Sequence, residues 1–235
     1  MSIYIFVYPV IIVVLSIVLI IINKRNKAKS THIKLDEERK KYLSYKSELE
    51  NEDFKILKKW MKNAPIDAFT TASFPRTNSE QIQQLAKQGI QNIALSSIGV
   101  RYREVETPAY LVLSGKELHF LHTDMDGDLK QHLIFGPNRL EVAKIKYTGL
   151  KKAALSISSK ESEKYQPHIF LLSFNINGEK IEIEAHDRLT TTIGFTGFLR
   201  ENYYQKMVKN RVVGEQLILK LSEKYSNLKI DQILN

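Results

Sequence analysis

Three aspartates are spaced in a way that could bind a metal ion. Asp124, Asp126 and Asp128 alternate along a short polar segment, a pattern that suggests calcium. A calcium loop of the EF-hand type needs glycine at its sixth position and glutamate at its twelfth. Counted from Asp124, these positions hold Leu129 and Phe135. The pattern therefore favours a solvated hairpin turn over a cation site.

Histidines are the other candidate metal ligands. In a regular strand His119 and His122, three residues apart, point to opposite faces and cannot share a metal ion. The chain contains no HExxH or comparable ligand spacing. It also contains no cysteine, which excludes disulfides, thiolate zinc sites and thiol nucleophiles. A composite site drawn from several strands is the alternative, but it has no sequence signature, so the sequence assigns no metal and no cofactor. The six histidines are His32, His119, His122, His132, His168 and His186.

Nucleophile and phosphate-binding motifs are absent from the sequence. There is no GxSxG elbow, no GxxxxGK[ST] loop and no GxGxxG after a predicted strand. Ser114 and Gly115 lie in a predicted tight turn, where geometry explains them without catalysis. The sequence predicts a protein that is not an enzyme; an enzyme with residues scattered among loops is the alternative.

Basic residues form two clusters that could contact an anionic surface. Lys144 and Lys146 share one face of a predicted strand, and Lys151 and Lys152 follow in the next turn. Both a solvated face and contact with anionic headgroups fit this cluster. The other cluster lies at residues 24–29. The candidate anionic-lipid contacts are Lys24, Arg25, Lys27, Lys29, Lys144, Lys146, Lys151 and Lys152.

The second basic cluster directly follows an apolar segment. Residues 3–22 carry no charge, and about 20 helical residues cover the roughly 30 Å hydrocarbon core of a bilayer. A cleavable signal peptide would need a basic start and a shorter apolar run. The sequence therefore predicts a transmembrane anchor over 1–23. The positive-inside rule then places the N-terminus outside and the remainder in the cytoplasm, in a single-pass inner-membrane protein.

The net charge of +9 is concentrated near the predicted anchor. Residues 24–62 hold 13 basic and 7 acidic residues, so this segment contributes +6 of the net charge of +9. A nucleic-acid-binding protein is expected to carry its excess of basic residues on the folded domain. The membrane and a protein are therefore the predicted partners, and nucleic acid is not.

The predicted elements give an α+β chain. Residues 24–62 have a helical pattern and form a basic juxtamembrane stalk, read either as a dimerising stalk or as a helix packed on the domain or membrane. Residues 63–97 hold a loop and a short helix. Seven or eight short strands separated by turn signals fill 98–188, which predicts an antiparallel barrel or sandwich. Asn177 and Gly178 give the clearest hairpin signal. The predicted strands are 98–104, 109–113, 117–123, 130–135, 140–147, 153–157, 168–176 and 180–185. Two apolar stripes at helical spacing, one before Gly214 and one after it, predict C-terminal helices over 189–235 with a break at this glycine.

The order of these elements resembles that of pleckstrin-homology-like (PH-like) domains of bacterial membrane proteins. The segment 110–121, YLVLSGKELHFL, is similar to their opening hairpin, and the resemblance covers about residues 98–210. The family implies a strongly bent seven-stranded sheet capped by a C-terminal helix, and binding of a peptide, protein surface or lipid headgroup without catalysis. Members that bind inositides place basic residues in the first loop. Here Asp124, Asp126 and Asp128 would repel a phosphate.

The sequence thus predicts a membrane-anchored, non-catalytic binding or scaffold module in the cytoplasm. Its target is a protein or an anionic lipid surface. Besides an enzyme, a carrier that holds a lipid or small ligand inside the barrel is an alternative, which an apolar cavity would support.

Overall fold

The computed structural model describes residues 34–75, 107–150, 167–176, 178–190 and 203–230, together with isolated positions between 13 and 24. These residues form an α+β structure with one seven-stranded antiparallel sheet. The elements are α1 Leu35–Arg39, α2 Tyr42–Asn51, α3 Lys55–Trp60, β1 Ala68–Ser73, β2 Ala109–Ser114, β3 Glu117–Thr123, β4 Leu129–Phe135, α4 Pro137–Leu140, β5 Lys144–Leu150, β6 His168–Ile176, β7 Glu179–His186, α5 Tyr203–Lys224 and a 3₁₀ turn Ser226–Leu228.

The sheet consists of two meanders joined side by side. Its strand order is β4-β3-β2-β1-β7-β6-β5, so the first four strands and the last three each follow chain order. β1 joins the two meanders through the pairs Ala72↔Ala185 and Ser73↔Glu184. Tight turns explain the local pairing: Gly115 and Gly178 have φ angles of +56° and +88°, which glycine adopts without strain.

The inner face of the sheet encloses a dense apolar core, here called the inner cluster. Its side chains alternate along the strands, as expected when one face of a sheet is buried. The Phe135 and Phe174 rings stack with centroids 4.0 Å apart, so β4 and β6 meet across the interior. Its members on the strands include Leu111, Leu113, Leu118, Phe120, Phe135, Phe170, Leu172 and Phe174, all no more than 2% exposed.

The helices α1–α3 cover the outer face of β1–β3 and form the outer cluster. Tyr42, Leu49 and Leu57 from the helices pack with Phe69 and Val112 from the sheet. In the described part of the predicted stalk, residues 34–62, these helices pack on the domain. Leu35, Tyr42 and Leu49, which recur every seven residues, contribute to this helical layer.

β1 lies in a segment for which the sequence predicts a loop. Its sequence AFTTAS carries two threonines that are buried in the sheet, Thr70 and Thr71. Pro65 and Pro75 lie close to its two ends and favour a loop prediction. The strand is buried on both faces, so its sequence also lacks the apolar–polar alternation of a half-buried strand. The predicted short helix after residue 76 and the predicted strands over 98–104 and 153–157 lie outside the described residues.

The helix α5 continues through Gly214, at which the sequence suggested a break. A Cβ on Gly214 would lie 2.9 Å from both Arg188 Cα and Asp187 O. Real Cβ atoms essentially never approach backbone this closely. The glycine is therefore a point of close approach between the helix and the end of β7.

The predicted transmembrane helix over 3–22 requires a correction. In the described part of the chain, no helix combines the length and apolarity needed to cross a membrane. The same finding contradicts the predictions that depend on this helix: the single-pass anchor at 1–23, the inner-membrane location with the N-terminus outside, and the membrane as an integral partner.

We expect Gly214→Ala to destabilise the protein by about 1–3 kcal/mol, because the added methyl overpacks against backbone. Helix propensity alone predicts the opposite sign, a gain of about 1 kcal/mol. Urea unfolding followed by circular dichroism measures the difference. As a control, Glu223→Ala on the exposed side of α5 should stay within about 0.5 kcal/mol of the wild type. A stabilised Gly214→Ala variant would contradict the close approach.

Candidate functional site

Two of the residues predicted to contact anionic lipid lie side by side in the structure. Lys144 and Lys146 are both exposed on β5, two residues apart and on one strand face. Lys24 is exposed in a helical position. The other predicted contacts, Arg25, Lys27, Lys29, Lys151 and Lys152, lie outside the described residues.

β5 forms one end of the described sheet. It pairs with β6 on one side, through Lys144↔Ser173 to Leu150↔His168, and no described strand pairs with its other side. Ile145 is half-buried against the inner cluster, whereas Val142 and Tyr147 are 65% and 39% exposed. Among the described residues, the backbone hydrogen-bonding groups on this side of β5 therefore have no strand partner, and two cations and two apolar side chains lie beside them.

A histidine–carboxylate pair lies next to this edge. His168 Nδ1 is 2.5 Å from Asp187 Oδ2, and the His168 backbone N–H donates to Asp187 Oδ1 at 2.8 Å. Arg211 Nη2 of α5 is 3.4 Å from the same carboxylate, and the Tyr147 ring lies 5.8 Å from the His168 ring. The buried carboxylate thus joins β6, β7 and α5. A base of this kind needs a neighbouring nucleophile, and no described hydroxyl hydrogen-bonds to the His168 ring.

Polar side chains also cluster where β1 meets β7. The Ser73 hydroxyl donates to Glu184 Oε2 at 3.0 Å and lies 3.4 Å from His186 Nε2. His186 Nδ1 is 3.3 Å from Thr71 Oγ1. Since the serine proton goes to the carboxylate, the histidine is not placed to activate Ser73 as a nucleophile. These contacts tie the two meanders together.

A pair of histidines lies on the outer face near the opposite end of the sheet. His119 Nδ1 on β3 is 2.9 Å from His132 Nε2 on β4, and His119 Nε2 is 3.7 Å from Glu117 Oε2. Burial, with the charge of His132, lowers the pKa of His119; burial and the charge of Lys62 lower the pKa of His132. Both imidazoles are therefore neutral near pH 7.

His122 lies on the other face of β3, as its spacing from His119 predicts. Its Nε2 is 2.9 Å from Thr107 Oγ1, and its ring lies 5.4 Å from that of Phe74. Burial, followed by the charge of Lys130, lowers its pKa. His119 therefore pairs with a residue that the sequence did not single out, because cross-strand neighbours depend on register.

The aspartate segment forms a turn held by its own first carboxylate. Asp124 Oδ1 accepts the backbone N–H groups of Asp126 and Asp128 at 3.0 and 2.9 Å. A carboxylate occupied in this way stabilises the turn. In the described ranges no group of three histidine or acidic side chains is arranged to hold a metal ion.

Comparisons with known proteins give no match to a protein family, to a curated protein or to a solved structure. The geometry of the described residues is therefore the basis for a functional proposal.

Stability should decrease as the pH falls below about 6.5, the ordinary pKa of histidine. The lowered pKa values of His119, His122 and His132 mean that unfolding takes up protons in this range. Their contribution is complete above the unfolded-state pKa and is lost as the pH falls toward the folded-state values. The carboxylates with lowered pKa values, Glu38 and Glu182, act only below about 4.5.

Urea midpoints at about pH 7.5 and about pH 5.5 measure this effect, in the window where histidines titrate and carboxylates do not. The wild type should lose more stability between the two values than a His119→Gln/His132→Gln variant does. Equal losses in the two proteins would show that these histidines are not responsible.

Proposed function

We propose that this chain is a non-catalytic binding module that recognises an acidic, extended segment of a partner protein along the edge of β5 that no described strand pairs with. The observation that carries the proposal is the place of β5 at the end of the strand order, with Lys144 and Lys146 exposed on it. An extended peptide can add to such an edge through main-chain hydrogen bonds, while alternate side chains give specificity.

Charge complementarity supports an acidic partner. The two lysines project on the same face at strand spacing, so carboxylates two residues apart in the peptide would lie opposite them. Val142 and Tyr147 supply apolar surface at the start and toward the end of the same edge. The amphipathic tyrosine suits an interface, since its ring packs while its hydroxyl stays hydrated.

The strand arrangement supports assignment to the PH-like fold. The strands β1–β4 form one antiparallel meander and β5–β7 form a second one beside it. The C-terminal helix α5 packs on the inner cluster through Leu217 and Leu221. This order agrees with the bent seven-stranded sheet and closing helix that the resemblance implies. Members of that superfold bind peptides or protein surfaces, which is the function proposed here.

The alternatives of a carrier and an enzyme have less support. A carrier needs an internal cavity, but Phe120, Phe135, Phe170 and Phe174 fill the interior at 0–2% exposure. An enzyme needs a nucleophile or acid–base pair facing substrate. In the described polar clusters, one where β1 pairs with β7 and one around Asp187, the polar atoms hydrogen-bond to one another and connect the strands.

A labelled, end-capped peptide of about eight residues with alternating glutamate and valine is a suitable probe, since it matches one strand in length. Fluorescence anisotropy should show binding to the wild type. Lys144→Glu/Lys146→Glu should weaken it by roughly tenfold or more, because each exposed ion pair contributes up to about 1 kcal/mol. NMR shift changes should map to β5.

The matched control is Lys130→Glu, which reverses one exposed charge on β4, the other edge strand. It should leave the affinity within about threefold. The proposal is wrong if the Lys144→Glu/Lys146→Glu variant binds as tightly as the wild type, or if an alternating lysine–valine peptide binds equally well.

A further inference from the structure

We propose that His119 and His132 form a two-histidine binding site for a divalent transition-metal ion of the class that prefers imidazole, namely Cu²⁺, Ni²⁺ or Zn²⁺. The site is separate from the β5 edge and does not depend on the proposed peptide binding. It lies on the outer face of β3 and β4, where the register places His119 diagonal to His132.

The separation of the ring nitrogens fits a shared ion. His119 Nδ1 and His132 Nε2 are 2.9 Å apart. Metal–imidazole bonds are about 2.0–2.1 Å long, so this separation subtends an angle of about 90° at a bound ion. That angle is the one between neighbouring ligands in tetragonal Cu²⁺ or Ni²⁺ sites. Tetrahedral Zn²⁺ would need about 3.3 Å, a shift of a few tenths of an ångström.

Glu117 is placed to support His119 as a ligand. His119 is 7% exposed, and its Nε2 is buried with no hydrogen-bond partner among the described residues. The nearest carboxylate oxygen to it is Glu117 Oε2, at 3.7 Å. A metal-binding histidine ordinarily donates its second N–H to a carboxylate, which orients the ring and raises its basicity. A side-chain rotation of the half-exposed Glu117 would complete this hydrogen bond.

Metal binding at this pair needs no release of protons from the two imidazoles. We assign the proton of neutral His119 to Nε2, because this nitrogen lies nearest the Glu117 carboxylate; His132 Nε2–H is then the donor to the lone pair of His119 Nδ1. When the ion binds, His132 changes tautomer: its proton leaves Nε2 and its other ring nitrogen, His132 Nδ1, takes one up. The lone pairs of His119 Nδ1 and His132 Nε2 are then both available to the ion. His119 keeps its Nε2 proton for Glu117.

The surroundings allow an ion to enter with open coordination positions. His132 is exposed on the edge strand β4, so water or a partner side chain can complete the coordination. Lys62, at the end of the helical layer, opposes a cation by its charge, as its effect on the pKa of His132 shows. Burial and the charge of His132 lower the pKa of His119, and the nearby carboxylate of Glu117 opposes them by favouring positive charge on His119.

Titration of the full-length, untagged chain with Cu²⁺ at about pH 7.5, where both imidazoles are neutral, tests the proposal. Calorimetry should show one site tighter than the background of exposed histidines. Electron paramagnetic resonance should show two nitrogen ligands. His132→Gln should lower the affinity at least tenfold and remove the two-nitrogen signal. Glu117→Gln should weaken binding by about tenfold, as expected for an orienting carboxylate, and keep that signal.

His122→Gln is the matched control, because His122 lies on the same strand but faces away from the pair. It should leave affinity and spectrum unchanged. Since His132 is exposed, its replacement avoids the folding defect that substitution of the buried His119 could cause. The proposal is overturned if His132→Gln binds Cu²⁺ as tightly as the wild type, or if His122→Gln loses as much affinity.

Discussion

The close contact between α5 and the end of β7 is the constraint on which both hydrophobic clusters depend. The N-terminal half of α5 contributes Val212 to the outer cluster, and its C-terminal half contributes Leu217 to the inner one. One helix can serve both only if it runs close to the sheet between them. Gly214 permits this, because any side chain there would collide with the backbone of Asp187 and Arg188. The absence of a Cβ at one position therefore fixes where the two clusters meet.

Polar contacts extend this arrangement to the helical layer. Glu215, the next residue, is 1% exposed and accepts two hydrogen bonds from Arg39 at 2.8 and 3.1 Å. A buried carboxylate is costly without such a partner, so α1 has to remain beside α5. Lys206 and Asp53 form a second ion pair, at 3.1 Å, between α5 and the layer. The helices therefore belong to the domain and cover the outer face of β1–β3. Among the described strands β4 and β5 remain as the two edges, and β5 carries two exposed lysines where β4 carries one.

Local signals in the sequence predicted most of the sheet but could not predict how its halves join. Gly115 and Gly178 mark turns whose flanking strands lie within a few residues of their predicted positions. The strand β1 escaped prediction because proline flanks it and because its partners β2 and β7 are distant in sequence. Gly214 suggested a helix break, since a sequence pattern does not show what backbone lies opposite. The apolar run at 3–22 predicted a membrane helix from length and composition alone, and the described helices do not include one.

The two candidate sites differ in how far sequence could predict them. Lys144 and Lys146 need only strand alternation, a local property. The His119–His132 pair depends on the register of β3 against β4, which shifts by one residue at His122/Thr123. If the register of Thr123↔Leu129 continued along the ladder, His132 would lie opposite Phe120 and face the inner cluster. The bulge is therefore what brings His132 to the same face as His119. The bulge directly precedes the turn that Asp124 closes through its carboxylate, so the acidic segment lies where the register of β3 against β4 changes.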